Sequence, residues 1–334
     1  MQLNNDLTFS PKEAIIAVTL QCNSRCLMCK IWQNRTKNEI SPKIFFKLPP
    51  SLEEINITGG EPFLRNDLPI IIKNIRKTCP KARLLINTNG YLVSQINKLA
   101  PLIFKSDPQI AIRVSLDGTK KIHDKIRNLP NYFEKAIKSL SLFRKIGIKD
   151  LGISFTLIDI NKSYLLKMYS FCKKNNYDFS LTIATDSPIY FGKNKMLMRP
   201  KANSRLNSIF LKLRNNLYRS TKIKNWIRAW FTYELFNYMQ TSKRKLSCTA
   251  GSDFFYMDSY ANIYTCNIKP WKIGNLIKQN CKQIFYKNVY YNRTCSNVLR
   301  CNDCWMICSA RTSMKNNIVK IIIEVLIGKL RSFF

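Results

Sequence analysis

The sequence predicts an α/β fold: a partial (β/α)6 barrel of the TIM type, followed by a small cysteine-rich α+β module. Up to about residue 185, short apolar runs rich in β-branched residues alternate with helical patterns. These runs are too continuous for half-exposed strands and are typical of buried parallel strands. Beyond residue 246 the pattern changes to short β-like runs, turn residues and closely spaced cysteines.

Six apolar runs are predicted as the barrel strands. They lie at Glu13–Leu20, Glu54–Thr58, Ala82–Asn87, Gln109–Leu116, Asp150–Leu157 and Phe179–Ala184. Helical patterns lie between them, for example at Asn131–Ile146 and Lys162–Asn175. Repeated βα units place helices outside a parallel sheet, and right-handed crossovers curl that sheet into a partial barrel.

We expect four segments in the 334 residues: a barrel core at 10–200, a helical linker at 201–245, the cysteine-rich module at 246–312 and a basic amphipathic helix at 313–334. In the linker, aromatic residues recur at near-helical spacing, which favours core packing over ligand binding. These are Trp226, Trp230, Tyr233 and Phe236.

The last apolar run, Ile318–Leu330, is shorter than the roughly 20 residues that a membrane-spanning helix needs. It is amphipathic and basic, so it either docks on the protein's own surface or rests on an anionic membrane.

The charge is strongly positive, with 55 Lys and Arg against 20 Asp and Glu, a net charge of +35. RNA, an anionic membrane surface or an acidic substrate would match it, and a solvated lysine-rich surface is the alternative. The single histidine, His123, disfavours chemistry that needs several imidazoles, and we expect it to be a surface or structural residue.

The first ten residues are polar and contain no secretory signal, which predicts a cytoplasmic protein, with peripheral attachment at the inner face of the membrane as the alternative. In a reducing compartment, the closely spaced members of the twelve cysteines indicate metal ligands rather than disulfides.

Three of these cysteines, Cys22, Cys26 and Cys29, directly follow the first predicted strand. A [4Fe–4S] cluster normally takes four thiolates, so three protein ligands leave one iron open. The carboxyl end of a barrel strand is also where such folds place their active sites. This spacing resembles the signature of the radical S-adenosylmethionine (SAM) superfamily.

The resemblance implies that the open iron binds the amino and carboxylate groups of SAM. It further implies that an electron from the cluster releases a 5′-deoxyadenosyl radical, which abstracts hydrogen from a substrate. After the second strand, the segment Gly59, Gly60, Glu61 and Pro62 resembles the motif that contacts SAM in this family. Glycines at such a turn also let a backbone approach a ligand closely.

Weaker resemblances extend along the barrel. The segments NTNGYL, from Asn87, and SFTLIDIN, with Thr156 and Asn161, are similar to later strand motifs of the family. From the same resemblance we expect Ser115, Asp117 and Arg127 to contact SAM, with Arg127 pairing with its carboxylate.

The cysteine-rich module resembles the SPASM/twitch extension of radical SAM enzymes, which carries auxiliary clusters. The candidate metal ligands are Cys248, Cys266, Cys301, Cys304 and Cys308. One auxiliary [4Fe–4S] cluster is expected, on Cys248, Cys266, Cys304 and either Cys301 or Cys308, and a zinc site is the alternative. Cys79 and Cys172 are predicted to be buried small hydrophobes, whereas Cys281 and Cys295 are unassigned.

These features together predict an oxidoreductase that cleaves SAM reductively and abstracts hydrogen from a substrate. A peptide is the favoured substrate, and a sugar or lipid precursor of the cell envelope is the second choice. The expected partners are a reductase, flavodoxin or ferredoxin as electron donor and a peptide or small anionic substrate. The alternatives are an RNA-modifying radical SAM enzyme and a zinc-stabilised nucleic-acid-binding protein.

Overall fold

The computed structural model describes residues 11–34, 39–193, 198–286 and 297–332. The strands are β1 (Glu13–Thr19), β2 (Glu54–Gly59), β3 (Arg83–Thr88), β4 (Ala111–Ser115), β5 (Leu151–Leu157), β6 (Asp178–Ile183), β7 (Phe254–Met257), β8 (Asn262–Tyr264) and β9 (Lys272–Asn275). The barrel helices are α1 (Leu68–Thr78), α2 (Val93–Ser106), α3 (Lys120–Arg127), α4 (Tyr132–Ile146) and α5 (Leu165–Lys174). The later helices are α6 (Ser204–Tyr218), α7 (Ile223–Thr241), α8 (Cys281–Tyr286), α9 (Ile307–Asn316) and α10 (Ile318–Arg331).

One nine-stranded sheet runs through the chain in the order β6-β5-β4-β3-β2-β1-β7-β8-β9. The six barrel strands pair in parallel with their neighbours, and the sheet stays open between β6 and the other edge. This confirms the predicted α/β partial barrel. The cysteine-rich module is continuous with it, because β7 pairs in parallel with β1, and β8 and β9 add to β7 in antiparallel fashion.

The two faces of the barrel strands differ in chemistry. On β3, Leu84 and Ile86 are fully buried against the outer helices, whereas Arg83, Leu85 and Asn87 are half-buried and face the barrel interior. The main hydrophobic core therefore lies between sheet and helices. The interior instead leaves room for ligands.

Several element bounds differ from the sequence prediction. The strand predicted at 179–184 begins at Asp178, because Asp178 pairs with Gly152 of β5. The helix predicted from Lys162 starts as a 3₁₀ turn at Asp159–Tyr164 and becomes α-helical only from Leu165. The other short 3₁₀ segments are Ile31–Gln33, Pro42–Lys47 and Pro62–Leu64.

Helices α6 and α7 pack against each other, and α6 also contacts α5. Trp230 and Phe236 are buried and Trp226 is half-buried, so most of the aromatic stripe packs as predicted, while Tyr233 is exposed. Helix α10 docks on α7, burying Ile321 and Val325. Among the described helices, none is long and apolar enough to cross a membrane.

Candidate active site and second cysteine site

The three cysteines of the first motif lie on the loop after β1, at the carboxyl ends of the barrel strands. Cys22, Cys26 and Cys29 line a cavity of about 170 Å³, together with the Gly59–Gly60 turn that follows β2. Burial raises the pKa of the Cys22 thiol to about 12. A metal cluster binding here would have to displace the thiol protons.

The Gly59–Gly60 turn packs against the cysteine loop so closely that no side chain fits. Gly59 has a φ of +145°, and a Cβ added there would lie 2.2 Å from the carbonyl oxygen of Thr19. A Cβ at Gly60 would lie 1.8 Å from the carbonyl oxygen of Gln21. The Gly60 and Glu61 amides donate to those same two oxygens, at 2.8 Å each. The turn and the loop are thus joined backbone to backbone.

Glu61 is fully buried and does not line this cavity. Its carboxylate accepts hydrogen bonds from the Phe63 amide at 3.0 Å, the Thr88 hydroxyl at 2.7 Å and the Asn89 amide at 2.6 Å. Burial raises the pKa of the Glu61 carboxyl to about 7, although the three donors oppose that shift. Pro62 begins the following 3₁₀ turn. Both residues therefore hold the glycine turn in place.

Arg127 lies at the end of α3 and lines the cavity, as does Ser115 at the end of β4. The Arg127 Nη1 is 3.5 Å from the Cys26 Sγ, while its Nε and Nη2 donate to the Asp117 Oδ2 at 2.7 and 2.5 Å. Asp117 is fully buried, and its other oxygen accepts from the Thr156 amide at 2.8 Å. The Asp117 carboxylate therefore holds the guanidinium beside a cysteine thiol.

Two residues next to Asp117, His123 and Asn161, hold the surrounding backbone in place. His123 is fully buried, and its Nδ1 accepts a hydrogen bond from the Asp117 amide at 3.0 Å. Burial lowers the pKa of the imidazole well below its usual value, so His123 is a neutral structural residue. Asn161 bonds to backbone groups of Asp117, Thr156 and Ile158.

Sequence reasoning missed Tyr190. It lies in the loop after β6, lines the cavity and is buried. Its hydroxyl donates to the Gly59 carbonyl at 2.7 Å and receives the Gly59 amide at 3.1 Å. The phenol therefore anchors the glycine turn beside the cysteine loop. No repeat or spacing marks this residue in the sequence.

A second cysteine site lies in the C-terminal module. Cys248, Cys266, Cys301 and Cys304 line one small cavity. Burial raises the pKa of the Cys248 thiol to about 11 and also raises that of Cys266 and Cys301. Arg244 lines the same cavity, with its Nη1 3.8 Å from the Cys304 Sγ.

The other cysteines among the described residues line neither of these two cavities. Cys308 is buried one residue into α9 and does not line the second cavity, although it is near Cys304. Cys79 and Cys172 are buried in the main core, as predicted. Cys281 is half-buried, with its thiol directed at the Lys47 carbonyl. Cys295 lies outside the described residues.

Both thiol sets fit iron–sulfur clusters by donor chemistry, since soft thiolates in groups of three or four are the usual cluster ligands. Within the described ranges, no three Cys, His, Asp or Glu side chains converge closely enough to hold a single metal ion. In a [4Fe–4S] cluster each thiolate binds a different iron, so the thiols around it need not meet at one point.

Comparisons with known sequences match about half of the chain. Residues 16–172 match the family model described as the Radical SAM superfamily. A GTP 3',8-cyclase of Aliarcobacter butzleri is 28% identical over 172 residues, which are 48% of this chain and 52% of that protein. A pre-heme d1 synthase of Dinoroseobacter shibae is 25% identical over 181 residues, 51% of this chain and 42% of that protein. The chain spans about half the length of the curated relatives it matches.

Solved structures match nearly the whole chain. The structure of anSMEcpe with bound AdoMet and a peptide has a TM-score of 0.61 at 18% identity, covering 94% of this chain and 99% of that one. Streptococcus suis SuiB bound to the precursor peptide SuiA has a TM-score of 0.61 at 18% identity, covering 91% of this chain and 72% of that one. At these identities the likeness establishes the fold alone. The family model and the cysteine loop together show a radical SAM domain over residues 16–172, and the solved structures agree with that fold.

Proposed function

We propose that Cys22, Cys26 and Cys29 hold the SAM-binding cluster and that the cavity beside them is the active site. The observation that carries the proposal is that three thiols of one loop line a single cavity with the Gly59–Gly60 turn. When bound, the cluster supplies an electron that cleaves SAM to a 5′-deoxyadenosyl radical, which abstracts hydrogen from the substrate.

The chain's own residues position these groups. The bare backbone at Gly60 lets the glycine turn pack directly against the cysteine loop, and hydrogen bonds of Glu61 and Tyr190 hold that turn. Ser115 offers a hydroxyl to a polar ligand group. Arg127 supplies the positive charge beside Cys26. We therefore propose that its main role is to stabilise the Cys26 thiolate, and that pairing with the SAM carboxylate is its lesser role.

We propose that the second thiol set holds one auxiliary [4Fe–4S] cluster on Cys248, Cys266, Cys301 and Cys304. The sequence leaves Cys301 and Cys308 as equal candidates. The cavity supports Cys301, because it lines the space that the other three cysteines share and Cys308 does not. Arg244 beside Cys304 would offset the negative charge of the thiolates.

The proposed substrate is a peptide. The support is that the fold likeness to proteins whose structures contain peptides extends over at least nine-tenths of this chain. The likeness to GTP 3',8-cyclases, in contrast, covers only about half of it. The net charge of +35 suits an acidic flavodoxin or ferredoxin, or a reductase with an acidic docking face, as electron donor.

We further propose that α10 rests on an anionic bilayer at the inner face of the membrane. Its outer face exposes 47–71% of each of five apolar side chains: Val319, Ile322, Ile323, Leu326 and Leu330. Glu324, the helix's one acid, is turned inward, where it accepts from the Trp230 Nε1 at 2.7 Å. An apolar face with basic neighbours on a chain of +35 suits anionic lipid, and like-charge repulsion disfavours a second copy.

Vesicle flotation tests this membrane contact. Vesicles of phosphatidylcholine with phosphatidylglycerol should float the chain, and vesicles of phosphatidylcholine alone should float it less. An I322D/L326D variant should not float, whereas I70D, at a lone exposed position on α1, should behave as the parent. Equal flotation of I322D/L326D and parent would rule out this contact.

The enzymatic proposal is tested by SAM turnover. Reduced, reconstituted protein should release 5′-deoxyadenosine from SAM, and C26A should release none. C79A, which removes a buried thiol far from the cavity, should retain the activity. Iron and acid-labile sulfide analysis of the same samples distinguishes clusters from zinc. Strongly salt-dependent tRNA binding would favour an RNA substrate over a peptide.

A further inference from the structure

A cavity with a mainly apolar wall lies away from both cysteine sites, beside the edge strand β6 and helices α6, α7 and α9, and it is also lined by residues of β2, β3 and β4. Its volume is about 560 Å³. Native cores rarely contain voids larger than a water molecule, whereas ligand pockets span about 300–1,000 Å³. The size therefore indicates a ligand site rather than a packing defect.

The inner wall of this cavity is apolar and comes from four elements. Phe179 and Leu181 of β6, Leu217 of α6, and Ile227 and Phe231 of α7 form most of it. Ile318, the first residue of α10, lies at its edge. A wall of this kind suits an aliphatic chain.

The mouth of the cavity is cationic. Lys224, Arg228 and Arg113 all contact the carboxylate of Asp178, at 2.5, 3.0 and 2.8 Å from its Oδ2. Among the described residues, Asp178 is the only carboxylate within ion-pair distance of Lys224 and Arg228, whereas Arg113 also pairs with Asp150 at 2.7 Å. Lys224 and Arg228 therefore depend on a single carboxylate, which leaves positive charge for a further anion.

The mouth is also open to solvent, because the Lys224 side chain is 54% exposed and that of Arg228 is 20% exposed. Both belong to the first two turns of α7, a 19-residue helix whose amino end adds partial positive charge. A head group can therefore reach them from outside while its tail enters the cavity.

We propose that this cavity binds an anionic amphiphile, with its aliphatic chain between β6 and α7 and its carboxylate or phosphate on Lys224 and Arg228. The site is separate from the cysteine-loop cavity, although the two lie on the same barrel interior: Leu85 of β3 lines one and Asn87 lines the other. The proposal does not depend on SAM chemistry, so binding and turnover can fail independently.

Isothermal titration of the full, cluster-containing chain tests this site with decanoate, decyl phosphate and decanol below their micelle concentrations. Decanoate or decyl phosphate should bind with a stoichiometry of one, and the stronger of the two identifies the head group. Decanol should bind at least about tenfold more weakly, because it lacks the charge-assisted hydrogen bonds. Equal binding of decanol, or no binding of either anion, would overturn the proposal.

Variants locate the binding. K224Q/R228Q should weaken the anion by about tenfold or more. K222Q, which removes an exposed lysine just before the same helix, should bind as the parent does. I227W fills the cavity and should abolish binding. If I227W does not fold, the affinity of K224Q/R228Q relative to the parent still tests the site. Unchanged affinity in K224Q/R228Q would place the ligand elsewhere and refute the site.

Discussion

The charge beside Cys26 should set the reduction potential of the proposed SAM-binding cluster. The Arg127 Nη1 lies 3.5 Å from the Cys26 Sγ. At an effective dielectric constant of about 20, two unit charges at that distance interact by about 5 kcal/mol. The added electron spreads over the whole cluster, so its mean distance is larger and we expect about 1–3 kcal/mol. With about 59 mV for each 1.4 kcal/mol in a one-electron couple, R127Q should lower the potential by roughly 40–130 mV.

The neighbouring carboxylate provides a variant of opposite sign. D117N keeps Arg127 and removes the negative charge that partly cancels it, so the potential should rise. K120Q removes a cation that is 63% exposed on the same helix, and screening by solvent should leave the potential unchanged. Potentials are read by redox titration followed by electron paramagnetic resonance, in a C248A/C266A background that leaves one cluster. A shift of R127Q and D117N in the same direction, or none, would refute the reasoning.

Three further outcomes follow from the geometry. C301A should lose the auxiliary cluster, taking the iron content from about eight to about four per chain, whereas C308A should keep it; equal losses would contradict the assignment. G60A should fail to bind the first cluster, because its Cβ would meet the Gln21 carbonyl at 1.8 Å, and full iron content would contradict this. Burial alone raises the Asp178 pKa, but the ion pairs with Arg228, Arg113 and Lys224 outweigh it and lower that pKa far below its usual value. The stabilisation by these ion pairs is therefore present above the unfolded pKa of about 4 and lost as the pH falls below it. Thermal scans of D178N should show a melting temperature that falls less between about pH 5 and pH 2 than that of the parent. Parallel curves for the two proteins would contradict this.

The barrel could be predicted from the sequence because parallel strands are buried on both faces and read as continuous apolar runs. β1, for instance, is buried at all seven positions. The cysteine loop could be predicted because its three thiols are local in sequence. The pairing of β7 with β1 could not be predicted from the sequence. It joins residues about 240 positions apart through backbone hydrogen bonds, which leave no spacing pattern in the sequence.

The direction of side chains was the second feature that could not be predicted from the sequence. Glu61 and Asp117 stand in the expected motifs, yet both carboxylates turn inward to donors of the protein. The choice between Cys301 and Cys308 depends on where α9 begins, since the helix starts at Ile307 and carries Cys308 away from the shared cavity. Tyr190 acts through tertiary contacts with a turn 131 residues away in sequence.

The central claim is that three thiols leave one iron of the first cluster open to SAM. The most direct measurement is electron paramagnetic resonance of the reduced C248A/C266A variant, with and without SAM labelled with ¹⁷O or ¹⁵N at its carboxylate and amino groups. Changed g values and hyperfine coupling to the label should appear on addition of SAM. A spectrum identical with and without SAM, at full cluster content, would show that every iron is already ligated by the protein.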